Sequence, residues 1–105
     1  MIVKTKKGDL PVRFGWNALA KFGDLSGLTM DEILELDMTK MRMSDLLNFI
    51  YVGFVDGARK EGAECLVTCP EDVGDMIDDE PDIVEKVMKV FEESTSSEGE
   101  KGKKK

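Results

Sequence analysis

Between Asp45 and Gly62 the chain reads DLLNFIYVGFVDGARKEG, and eight of the first eleven residues of this stretch are apolar. At 100° per residue, Leu46, Leu47, Ile50, Tyr51, Phe54, Val55 and Ala58 fall on one half of a helix, and Asp45, Asn48, Asp56, Arg59 and Lys60 fall on the other. Phe49 and Val52 lie among the polar residues. One buried face cannot account for them, so such a helix must be covered on two sides. The second cover is either another helix of the same chain or a partner protein. The remaining sequence must therefore build a small bundle around this segment.

The flanking segments read as short elements. IVKTK and LPVRF are predicted strands around a Gly8-Asp9 reversal, with Pro11 placing the second strand at an edge. A two-stranded hairpin is marginal alone and must pack on something. The stretch FGWNALAKFGDLSG carries Trp16, Leu19, Ala20 and Gly23 at helical spacing and ends near Gly27, a residue suited to a left-handed terminator. Thr29 and Glu32 then form a T-x-x-E capping box flanked by Leu28 and Ile33, which predicts a second helix from Met30 with Leu34 on its buried side. Asp37–Arg42 is a predicted connection, and Ser44 is the expected N-cap of the central helix.

Thr68 and Glu71 repeat the box pattern around Pro70, predicting a short helix through Val73, Met76 and Ile77. After a stop at DDEP, the residues Ile83, Val84, Val87, Met88, Val90 and Phe91 form one apolar stripe, with Glu85 and Lys89 as an i,i+4 pair on its polar side. The segment STSSEGEKGKKK, residues 94–105, has no apolar residue, so nothing in it offsets the entropy of ordering. The expected architecture is mainly α: a small helical bundle over residues 1–93 with an N-terminal β-hairpin, followed by a disordered charged C-terminal tail.

Charge and residue types narrow the function. The net charge is −7, and Glu61–Asp82 carries nine acidic residues with no Lys or Arg. Binding of nucleic acid by the folded part is disfavoured, because neutralising phosphates needs a basic face. No run of about 18 apolar residues is present, so no membrane span is expected. The chain has no histidine, which removes the ordinary base near neutral pH and histidine-based metal sites. Cys65 and Cys69 are too few for a structural zinc site and read as reduced thiols. An enzyme is not expected, and neither a cofactor nor a metal is expected. An acyl carrier protein would carry its serine in an Asp-Ser-Leu start, and no Asp-Ser dipeptide occurs. Met30, Met38, Met41 and Met43 cluster before the central helix, where unbranched thioethers either fill a core or form an adaptable binding surface. The candidate partner-binding residues are therefore Met41, Met43, Phe49 and Val52.

The hairpin leading into RFGWNALAKFGDLSGLTMDEI, the helix SDLLNFIYVGFVDGARKEG and the closing TCPEDVGDMIDDEPDIVEKVMKVFEES with its charged tail together resemble a tail assembly chaperone of long-tailed bacteriophages. The resemblance spans residues 1–93 and rests on element order and apolar pattern. It implies a non-enzymatic helical protein of the host cytoplasm, absent from the mature virion. It further implies binding to the tape measure protein and help in assembling tail tube subunits around it, with homo-oligomerisation also open. The alternative class is an acidic regulatory interaction protein that inhibits a basic-surfaced target.

Overall fold

The computed structural model describes residues 2–6, 8–35 and 41–104, with side chains for all of these except residues 34 and 94–104. It is mainly helical, with strands β1 (Ile2–Thr5) and β2 (Gly8–Pro11) followed by helices α1 (Trp16–Ser26), α2 (Met30–Leu34), α3 (Met43–Glu61), α4 (Pro70–Asp79) and α5 (Ile83–Lys104). The strands pair antiparallel with Val3 opposite Leu10 and Thr5 opposite Gly8. The reversal is thus closed between Thr5 and Gly8, earlier than the expected Gly8-Asp9 turn. Gly8 has φ +119°, a conformation that other residues avoid, and this places the glycine at the exit of the turn. Val3 and Leu10 are both buried, so one face of the hairpin belongs to the core.

In α1 the buried residues are Ala18 and Phe22, one turn apart. The expected stripe through Trp16, Leu19, Ala20 and Gly23 is displaced: Trp16 is 77% exposed, Ala20 is exposed and Leu19 is half-buried. The Ala18–Phe22 line wins because the Phe22 ring meets Phe49 edge-on at 5.3 Å. Gly27 terminates the helix in the left-handed conformation (φ 75°), its N–H donating to the Gly23 carbonyl. The Thr29–Glu32 capping box forms as expected. The Glu32 N–H donates to Thr29 Oγ1 (3.2 Å) and the Thr29 N–H donates to Glu32 Oε1 (2.9 Å). Ile33 is buried beside half-buried Leu28. The Leu34 side chain and most of the predicted 37–42 connection lie outside the described residues.

Helix α3 starts two residues earlier than expected. Its N-cap is Arg42 rather than Ser44, and the Arg42 guanidinium pairs with Asp45 in the first turn (Nε to Oδ2, 2.9 Å). In α4 the expected Thr68–Glu71 box is replaced by an arrangement shifted one residue along. Pro70 occupies the first helical turn, Cys69 becomes the N-cap, and Asp72 accepts from both the N–H and the hydroxyl of Thr68 at 2.8 Å. The apolar stripe of α5 is present as read, with Ile83, Val87 and Val90 buried and Val84, Met88 and Phe91 packed against them. Lys86, rather than Lys89, makes the described ion pairs of this helix, to Glu80 (3.3 Å) and Asp82 (3.6 Å). The backbone of α5 remains helical to Lys104, past the end of the stripe. The expectation of a disordered tail falls on residues whose side chains are outside the description.

Four phenylalanines tie these elements together. Phe49 of α3 stacks on Phe14 (centroids 4.5 Å, 11° between planes) and meets Phe22 and Phe91 edge-on at 5.3 and 4.9 Å. A single side chain of α3 therefore joins the exit of the hairpin, α1 and α5. Where the hairpin exit crosses α3, two glycines make room. A Cβ on Gly53 would lie 2.5 Å from the Phe14 ring, and one on Gly57 would fall on the Pro11 carbonyl and 2.6 Å from the Val12 nitrogen. Close approach lets the Arg13 N–H donate to the Gly53 carbonyl at 3.0 Å.

Candidate interaction surface

The arc of α3 that reads as polar is a second buried face. Asp45, Phe49, Val52, Gly53, Asp56 and Gly57 are all buried along it. Its two carboxylates are neutralised where they lie. Asp56 accepts from Arg13 Nη1 (3.2 Å), Arg59 Nη2 (3.0 Å) and the Gly15 N–H (3.1 Å), while Asp45 accepts from Arg42. A buried carboxylate is tolerable only with such partners. Asp45 and Asp56 are the charged residues whose burial the wheel does not reveal, because the partners of Asp56 include Arg13, which is 43 residues away.

This settles two of the four candidate partner-binding residues. Phe49 and Val52 are both 0% exposed, and they are corrected from partner surface to core. The chain itself covers the second face of α3, with α1 and the hairpin exit. Met41 is half-buried against the core, and Met43 is 76% exposed. Only Met43 of the four presents most of its side chain outward.

Helices α1 and α3 share a defined register. The Gly15 N–H reaches Asp56, and two turns farther along α1 the Phe22 ring reaches Phe49, two turns back along α3. The helices therefore run antiparallel, and continuing the register to the end of α1 brings Leu25 level with Leu46. Helix α2 folds back on the same end: the open side of Gly23 faces the Leu28 carbonyl and the Ile33 side chain. Leu25 is 44% exposed and Met30 38% exposed. Leu28 and Met41 are half-buried against the core.

Asp24 of α1, Asp31 and Glu32 of α2 and Glu35 at the C-cap of α2 are all exposed. The hydrogen bonds from the Thr29 backbone and hydroxyl hold the Glu32 carboxyl below the usual carboxylate range. Arg42 is engaged by Asp45, which raises its already high pKa, and Lys21 is exposed. Met30 belongs to the methionine cluster visible in the sequence. Leu25 was missed because it lies off the expected stripe of α1; it shares the side of the helix that carries Ala18 and Phe22 and is exposed near the C-terminal end.

The opposite half of the molecule has its own exposed apolar residues, Ile2, Trp16 and Leu66, at 54%, 77% and 49%. Cys65 and Cys69 are half-buried free thiols, and the Cys65 thiol faces the Val67 carbonyl at 3.1 Å. Tyr51 donates its hydroxyl to the Thr68 carbonyl, and burial together with these thiols and Asp72 raises its pKa. Among the described residues no group of three or more Cys, Asp or Glu side chains is placed to hold a metal ion. No helix among them is long and apolar enough to cross a membrane. No protein-family model, curated protein or solved structure matches the chain.

Proposed function

We propose that the chain is a non-enzymatic assembly chaperone of the kind that serves tail assembly in long-tailed bacteriophages. Its clients would be the tape measure protein and, during tube growth, the tail tube protein. The observation that carries the proposal is the outward exposure of Leu25, Met30 and Met43 on a helical body whose net charge is −7. Apolar side chains on a small acidic bundle suit a protein that shields another chain's apolar helices while charge keeps the complex dissolved. Thioethers add adaptability, since an unbranched side chain repacks against many shapes. The order hairpin, short helices, long central helix and closing helix is also the order on which the family resemblance rests. On this reading the protein acts in the host cytoplasm and leaves before the virion is complete.

The test is co-expression with a phage tape measure protein from the same gene neighbourhood. The proposal expects the tape measure protein to move from the insoluble to the soluble fraction and to co-purify with this chain. Its remaining insoluble at every expression ratio would overturn the reading. Co-purification instead with a basic-surfaced enzyme whose activity falls would favour the regulatory alternative.

A further inference from the structure

We infer that the outer edge of β1 takes up an extended acidic segment of another protein as a third strand. The inference stands apart from the chaperone reading, since it rests on the hairpin and α5 alone. Strand register defines the edge. Thr5 and Gly8 flank a two-residue turn and oppose each other, and Val3 opposes Leu10. In an antiparallel pair alternate residues exchange their main-chain hydrogen bonds, so Val3 and Thr5 spend theirs on β2, while the N–H and C=O of Ile2 and Lys4 point away from it. The Lys86 ammonium of α5 fits this direction by donating to the Lys4 carbonyl (2.8 Å). Among the described residues the Lys4 N–H and the Ile2 carbonyl meet no hydrogen-bond partner on that side, and the sheet has no third strand. The outer edge of β2 is closed by contrast, because Pro11 has no N–H and its carbonyl lies against Gly57 of α3.

Beside the open edge a groove of about 340 Å³ runs between β1 and α5, lined by Ile2, Lys4, Lys86, Lys89, Val90 and Glu93 around Val3. Val3 and Val90 are buried and Ile2 is 54% exposed, so the groove has an apolar component. Alternate side chains of an added strand face opposite ways, and one set would cover these residues while main-chain bonds form along the edge. Charge selects the occupant. Lys86 is held by Glu80 and Asp82, whereas Lys4 and Lys89 are exposed and have no ion-pair partner among the described residues. Glu93 is the one carboxylate of the described lining. On a chain of net charge −7 the groove therefore carries a local positive surplus, which suits acidic side chains opposite Lys4 and beside Lys89. A basic segment would meet both lysines, and a second copy joined through the same edge would set its own Lys4 and Lys89 against them.

The test uses the full chain and short fluorescent peptides of alternating valine and glutamate, read by anisotropy at low salt. The valine–glutamate peptide is expected to bind, and a valine–lysine peptide is expected not to. Two further forms carry N-methyl groups on the backbone, one at every valine and the other at every glutamate. A strand bonded along one side uses only one of these two sets of N–H groups. One form should therefore lose about tenfold or more in affinity while the other binds like the unmethylated peptide. Simple attraction of an anion to lysines treats both forms alike. Slower hydrogen exchange of the Lys4 amide in the complex is expected if the peptide lies on this edge. The variant Lys4→Glu, Lys89→Glu should weaken binding by about fivefold or more. Lys21→Glu with Lys60→Glu, at exposed lysines of α1 and α3, alters the net charge equally and should keep most of the affinity. The methylated peptides act on the unaltered chain, so that arm does not depend on how any variant folds.

Equal binding of the two methylated peptides would overturn the added strand and leave a plain anion patch. No binding of the valine–glutamate peptide, or unchanged exchange of the Lys4 amide in its complex, would overturn the edge as the site. Self-association of the chain in sedimentation, reversed by that peptide, would give the edge to a second copy and overturn the acidic occupant.

Discussion

Alanine at Gly57 and alanine at Gly74 should change stability in opposite directions, although both replace a helical glycine. In a helix interior the substitution is favourable by about 1 kcal/mol through backbone entropy alone. At Gly74 the new methyl group meets only the Leu47 side chain, at 3.7 Å, which is ordinary contact. Gly74→Ala is therefore expected to stabilise by roughly 0.5–1 kcal/mol. At Gly57 the methyl group would overlap the Pro11 carbonyl and lie 2.6 Å from the Val12 nitrogen. These are main-chain atoms at the hairpin exit and cannot rotate away. Overpacking of this kind costs about 1–3 kcal/mol. Moving the exit outward also strains the Arg13 N–H bond to Gly53 and the Arg13 and Gly15 bonds to Asp56, worth about 1 kcal/mol for the neutral one and up to about 3 for a charged one. The net expectation for Gly57→Ala is a loss of about 2–4 kcal/mol, or roughly 10 °C or more in melting temperature for a domain of this size. Urea melts measure the difference, and hydrogen exchange should show the Arg13 amide opening faster in Gly57→Ala. A Gly57→Ala protein as stable as Gly74→Ala would refute the close docking of hairpin on α3.

Phe49→Ala removes the ring that joins Phe14, Phe22 and Phe91, and denaturant melts should show a loss of about 3–5 kcal/mol. The double change Phe49→Ser, Val52→Ser should abolish cooperative unfolding, since both side chains are fully buried. The carboxyls of Glu32 and Asp72 are held below their ordinary values of 4.5 and 3.8 by hydrogen bonds from Thr29 and Thr68. The unfolded chain therefore binds their protons first, so their contribution is complete above those ordinary values and is lost as pH falls through the lower folded ones. Glu32→Gln with Asp72→Asn should accordingly flatten the fall of melting temperature at acid pH. A chain ending at Ser94 should melt within a few degrees of the full chain, because residues 94–105 contain no apolar side chain to bury.

Local chemistry was readable in advance, and the partners of α3 were not. The Thr29–Glu32 box and the Gly27 terminator act within one turn, so the residues themselves specify them. The stripe of α5 was equally plain because its apolar spacing is unbroken. The wheel of α3 misled at Asp45 and Asp56, whose charges argue for water until the guanidiniums that neutralise them are known. One sign was available: Gly53 and Gly57, one turn apart, mark a close backbone approach on the same arc as Phe49 and Val52. Trp16 misled the other way, since its size suggests burial while the rotation that seats Phe22 turns it outward. Of the exposed apolar residues, the methionines were visible as a cluster, whereas Leu25 lies off the stripe expected of α1.

The central claim, that the protein shields apolar helices of a client with its exposed apolar side chains, is tested most directly by methyl resonances of the methionines. With carbon-labelled methionine in the full chain, titration of a soluble apolar helical segment of a tape measure protein should shift the Met30 and Met43 methyl signals. Met76, 3% exposed in the core, and Met88 on α5 should stay in place. Single Met→Leu changes assign each signal. Saturable shifts at Met30 and Met43 are the predicted result. A client that binds while leaving both signals unmoved would contradict the account.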